Sequence, residues 1–106
     1  MRVLLDECLP CPLKMDLPGY DVATVPEMGW AGIKNGALLK LVEPAFDVFL
    51  TIDGNLRFQQ NLRSMGLSFI VLSALNNRIE TLRPLMPRVL VALQSVVTGD
   101  VVRIEA

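Results

Sequence analysis

Apolar residues in this chain come in short runs that break off at acids, and the runs alternate with stretches whose apolar positions recur every three or four residues. Val3-Leu4-Leu5 stops at Asp6-Glu7, and Val48-Phe49-Leu50-Thr51-Ile52 stops at Asp53-Gly54-Asn55. A strand covered on both faces has no place for charge until it leaves the sheet. Each run therefore reads as a buried parallel strand whose carboxyl end opens into a crevice. The same pattern predicts strands over Tyr20–Val25, Phe46–Ile52, Leu67–Leu72 and Val101–Ile104, the last at an edge.

Helical spacing fills the gaps. Pro10 and Pro12 suit the first turn of a short helix that carries Leu13, Met15 and Leu17 and ends at Pro18-Gly19. Asn35 is placed to cap a helix through Glu43, with Leu38, Leu39 and Val42 on one face and Pro44 closing it. A helix over Leu56–Ser64 buries Phe58 and Leu62 and exposes Arg57, Gln60 and Arg63. The pattern from Arg78 to Val96 is helical too, and Pro84 and Pro87 predict a broken start. Between the second strand and the Asn35 helix, Pro26 to Lys34 holds three breakers and the lone Trp30, which predicts a loop over the carboxyl edge.

Strands alternating with helices imply an α/β fold of three layers, Rossmann-like, with a mostly parallel sheet of four to five strands and helices on both faces. Right-handed crossovers favour the order 2-1-3-4 with the last strand added at the edge. Ligands of such sheets bind where the order reverses, here between the first and third strands, and Asp6 and Asp53 are the residues expected there.

Composition narrows the chemistry. At 106 residues the chain is one domain, 1–106. It is 52% hydrophobic with mean hydropathy +0.45, yet no apolar run is long enough for a membrane span. Apolar surface in excess of one core is expected to meet a partner or a second copy, a homodimer included. The net charge of −1 gives weak long-range attraction to nucleic acid, so an RNA contact needs a local basic patch. The start MRVLLDE reaches carboxylates too soon for a secretory signal, which places the protein in the cytoplasm. There is no histidine, which excludes Ser-His and Cys-His catalysis and imidazole-ligated zinc.

Two carboxylates held within about 4 to 6 Å share a proton or bind a cation. A hard ion, Mg²⁺ or Mn²⁺, suits Asp6 and Asp53, with Glu7 and Asn55 in reach. The plainer reading makes each Asp a helix cap. Glu27 is either a further acid of the site or an exposed loop acid, and Glu43 belongs to the opposite edge. Cys8-Leu9-Pro10-Cys11 lies at a strand-to-helix junction, but the neighbouring acids would raise a thiol pKa, so reduced, packed cysteines are expected. Trp30 either stacks on a base or pins its loop to the core, and Lys34, Arg57 and Arg63 either meet phosphate or face solvent. No dinucleotide fingerprint, phosphate loop or nucleophile elbow is present.

The segments LLDECLP, VATVPEMGW and LTIDGNL, in that order and spacing, resemble the compact PIN-like family of short prokaryotic proteins. The resemblance covers roughly residues 1–60 and implies a PIN-like domain. It also implies a Mg²⁺- or Mn²⁺-dependent ribonuclease in which clustered acids hold the metal that activates water against RNA. Many PIN domains are dimeric toxins held by a small antitoxin, so RNA and an antitoxin-like protein are the implied partners. It carries Asp6, Glu7 and Asp53 onto the acidic positions. Asn55 stands where a second Asp is usual and Cys8 where Asn is, which implies weaker metal binding. A non-catalytic interaction module is the competing expectation. A receiver-like phosphoryl acceptor is the third, suggested by Ser73-Ala74 after the fourth strand.

Overall fold

The computed structural model describes residues 1–33, 35–52 and 66–106, the side chain of Asn35 excepted. Expectations for Lys34, Asp53, Asn55, Arg57 and Arg63, and for the Leu56–Ser64 helix, lie outside the described residues. Described elements run β1 (Arg2–Leu5), a 3-10 helix (Cys11–Asp16), β2 (Asp21–Thr24), a 3-10 turn (Pro26–Met28) and α1 (Asn35–Val42). Then come β3 (Val48–Ile52), β4 (Ser68–Ser73), α2 (Ile79–Leu82), a 3-10 turn (Arg83–Leu85), α3 (Met86–Ser95) and β5 (Val101–Glu105). The strands form one all-parallel sheet in the order β2-β1-β3-β4-β5, the expected α/β architecture.

Alternation along the strands sorts the core into two layers. Val3, Leu5, Val48, Leu50, Ile70 and Leu72 face one side, where they meet Leu13 and Leu17 of the first 3-10 helix and Met86, Val89 and Leu93 of α3. Leu4, Phe49, Phe69 and Val71 face the other and meet Leu38, Leu39 and Val42 of α1. Each fully buried Leu in such a layer contributes about 1.5 to 3 kcal/mol by leaving water.

The proline-rich opening after β1 makes a 3-10 helix rather than an α-helix. Leu9, Leu13 and Leu17 turn inward, while Met15 is left exposed. Downstream, the break foreseen at Pro84 and Pro87 divides the long helical pattern into α2, a 3-10 turn and α3. Each proline lacks the N–H that an uninterrupted helix would use.

The crossovers do not share one hand, which corrects the uniform right-handed expectation. From β1 to β2 the chain steps toward one edge across the face that carries Leu13 and Leu17. From β4 to β5 it steps toward the other edge across that same face, under Met86, Val89 and Leu93. Opposite steps on one face have opposite hands, whereas α1 joins β2 to β3 on the other face with the hand of the first. A side-chain bond helps to direct the last crossover: Asn77 Nδ2 donates to the carbonyl of Cys8 at 2.8 Å, drawing the chain that leaves β4 over the end of β1.

At the amino edge Arg2 gathers several groups. Its backbone N–H donates to Asp47 Oδ2 at 2.7 Å, its Nε meets Asp21 at 3.2 Å, and its guanidinium lies 4.4 Å from the centre of the Phe46 ring. Glu43 is also at this edge, accepting the Gly66 N–H, well away from Asp6 as expected.

Candidate functional site

The chain leaves β1 toward β2 and β3 toward β4, so the carboxyl ends of β1 and β3 flank the point where the connections part. Leu5 pairs with Leu50, which makes Asp6 and Thr51 the next neighbours along the two strands. The backbone continues the ladder there, Asp6 N–H donating to the Leu50 carbonyl at 2.9 Å.

Asp6 is only 4% exposed and Thr51 is fully buried. The Thr51 hydroxyl donates to Asp6 Oδ2 at 2.6 Å, and the Glu7 backbone N–H donates to Oδ1 at 2.8 Å. A buried carboxylate is tolerated only when hydrogen bonds replace water, and these two contribute to that replacement. They also fix the direction in which the carboxylate points.

Glu7 turns the other way. Its two carboxylate oxygens accept the backbone N–H of Gly32 at 3.2 and 3.4 Å, linking β1 to the segment that follows β2.

Glu27 does not join Asp6. Its backbone N–H meets Thr24 Oγ1 at 3.3 Å while its carboxylate accepts the Thr24 N–H at 2.9 Å, the reciprocal pattern of a capping box. Lys14 Nζ lies 2.9 Å from both of its oxygens. The Lys14 hydrogen bond and then the Thr24 N–H hold the Glu27 carboxyl below its ordinary 4.5. Its place is to fasten the start of the Pro26–Met28 turn.

Trp30 packs its ring edge-on to Phe46, with centroids 6.2 Å apart and planes at 81°. Phe46 lies before β3, toward the amino edge, so the indole packs against the α1-side layer. This contact pins the loop to the core, one of the two roles foreseen for Trp30.

Cys8 and Cys11 are both free thiols, Cys8 half-buried and Cys11 exposed. Burial first, and then the charge of Asp6, push the Cys8 thiol from the ordinary 9.0 up to about 12, against smaller opposing effects from the Ile52 backbone and the Thr51 hydroxyl. Such a thiol stays protonated at neutral pH and is a poor nucleophile.

Among the described residues, then, the site consists of Asp6 held by Thr51, with Glu7 beside it and the Cys8 thiol under the influence of Asp6. Of the other residues assigned to the site, Lys34, Asp53, Asn55 and Arg57 lie outside the described residues. No group of three or more His, Cys, Asp or Glu among the described residues is placed to hold a metal. Carboxylate oxygen is the donor type that hard cations take, and Asp6 brings one carboxylate to this edge, while the Glu7 carboxylate is turned to Gly32.

Thr51 is a site residue that carries little signal in the sequence. Its signal was its place two positions before Asp53 at the end of an otherwise apolar strand, where a buried hydroxyl needs a partner.

No helix among the described residues is long and apolar enough to cross a membrane. Compared with known proteins, the chain matches no family model, no curated protein and no solved structure.

Proposed function

We propose that this chain is a PIN-like, Mg²⁺- or Mn²⁺-dependent ribonuclease of the cytoplasm, the toxin of a toxin–antitoxin pair, working as a homodimer. One observation carries the reading: a nearly buried carboxylate, Asp6, stands at the divergence of β1 and β3 and is aimed by a buried hydroxyl. Parallel sheets bind their ligands at this position.

Asp6 and Asp53 are the residues that would hold the cation, with Asn55 as a neutral ligand. The bound ion supplies a nucleophilic water at neutral pH and offsets charge on the phosphate. Thr51 keeps the Asp6 carboxylate in one orientation, so that ordering it costs nothing when a ligand arrives. Glu7 is the base that orients the attacking water, and Lys34 and Arg57 meet the phosphates.

Calorimetric titration of Mn²⁺ into the wild type, Asp6→Asn and Asp53→Asn tests this, together with cleavage of a mixed RNA by the same proteins. Binding and cleavage in the wild type, both lost in each folded variant, are expected. A wild type that binds no Mn²⁺ and leaves RNA intact overturns the reading.

A second reading, a PIN-like module that binds a protein without cleaving RNA, draws on Leu75. This residue is 99% exposed in the loop after β4, at the same edge as Asp6. That side chain is available to a partner protein at this edge. The same titration separates the two, because the module needs no cation.

A further inference from the structure

The two edges of the sheet are not alike. Along a strand the N–H and C=O of one residue point to one side and those of the next to the other, so a strand with a single neighbour turns every second residue outward. At the β2 edge, Asp21 and Val25 donate to carbonyls of β1, which leaves Val22 and Thr24 facing out. Glu27 closes that edge at Thr24, whose N–H its carboxylate accepts.

β5 is longer, five residues against four, and among the described residues no strand lies beyond it. The Asp100 carbonyl and the Ala106 N–H point to β4, where they meet Phe69 and Ser73. Val101, Arg103 and Glu105 therefore turn their peptide groups to the outside. The guanidinium of Arg88, reaching the Glu105 carbonyl from α3, agrees with that direction. An outward row of this kind is a template for another strand.

The side chains on the row select the strand. Arg103 and Glu105 are exposed, opposite in charge and two positions apart, so they stand on one face of the sheet. When two copies of β5 meet antiparallel about a twofold axis, outward residues pair with outward residues. An axis at Arg103 would set that charge against itself, and an axis at Val102 would set it against Val101. An axis at Ile104 sets Arg103 of each copy against Glu105 of the other, two attractive pairs from one contact. Arg103 already interacts within its own chain, and the pairing adds a contact rather than requiring that one to be absent.

We propose that two copies of this chain join through β5, antiparallel about an axis at Ile104, into one continuous sheet with Arg103 of each copy opposite Glu105 of the other. The joint names the surface of the homodimer in the reading above and rests on that part of it alone, needing neither cation nor RNA.

Sedimentation of the full-length protein over a range of concentrations tests the joint, in the wild type, Arg103→Glu, Glu105→Arg and an equimolar mixture of the two variants. The wild type is expected to dimerise. Each variant alone sets like charges opposite one another and is expected to associate about tenfold more weakly. Mixed, the acidic strand of one variant meets the basic strand of the other, and association is expected to return to the wild-type level. A tag on one variant identifies the mixed dimer.

A wild type that stays monomeric at every concentration overturns the joint and the homodimer together. Variants that each dimerise as tightly as the wild type overturn the joint and leave the homodimer standing. Weak association that mixing does not restore also overturns the joint, since the loss then lies within each variant. Mn²⁺ binding and RNA cleavage by the wild type are read separately, so failure of the ribonuclease reading is distinguishable from failure of the joint.

Discussion

Thr51 donates its hydroxyl to Oδ2 of Asp6 at 2.6 Å, joining the carboxyl ends of β1 and β3 across 45 positions of sequence. Both partners are buried, so neither has ready access to water as a substitute. The bond therefore matters more for what its loss would leave behind than for the strength of the bond itself.

Replacing Thr51 with Val keeps the volume and removes the donor. The expected loss is about 1 to 3 kcal/mol of stability, the cost of a buried acceptor left short of a partner. Thr51→Ser, which keeps the hydroxyl, is expected to lose less. Urea denaturation of the three proteins at one pH checks the order.

The Cys8 thiol, raised from 9.0 to about 12 in the fold, sets the alkaline behaviour. Below 9.0 both folded and unfolded chains keep the proton, and the stability linked to this group is present in full. Between 9.0 and about 12 only the unfolded chain ionises, so that stability falls as pH rises. A Cys8→Ala variant is expected to lose this slope, measured as the urea midpoint on either side of 9.0. In the native wild type, iodoacetamide is expected to alkylate exposed Cys11 and to reach Cys8 only in denaturant.

Glu27 acts in the opposite pH direction. Its folded carboxyl is held below the ordinary 4.5, first by Lys14 and then by the Thr24 N–H, so its contribution is present above 4.5 and is lost as pH falls through the folded value. The wild type is expected to exceed Glu27→Gln in thermal midpoint at neutral pH, with the gap closing in acid. Because the pair is at the surface, added salt narrows the gap as well.

Phe46→Ala is expected to cost about 3 to 5 kcal/mol, a large share of the about 5 to 15 kcal/mol that holds a small domain together. It removes the ring on which both Trp30 and the Arg2 guanidinium rest. Trp30 is the sole tryptophan, so its emission moves to longer wavelength as the indole gains water, and urea melts report the loss.

The strands and their order were legible because apolar runs ending in acids leave few placements in a parallel sheet. The expected ends differ from the observed ones by a residue or two, as at β3, which begins at Val48 rather than Phe46. Thr24-Val25-Pro26-Glu27 carries a visible capping-box spacing, a role different from both the site acid and the exposed loop acid expected of Glu27. Its partner Lys14 comes from another element, thirteen positions away, and no local pattern announces that meeting. Thr51 was hidden for a related reason. A hydroxyl inside a hydrophobic strand looks like ordinary β-branched filler until the register sets it beside Asp6. Crossover hand depends on which face the final helix covers, and an amphipathic pattern fits either face equally well.

Because the first and last crossovers roof the same side of the sheet, the layer begun by Val3 and Leu5 is completed by Leu93 and Ile104. That layer therefore stays open during folding until segments far apart in the chain have met.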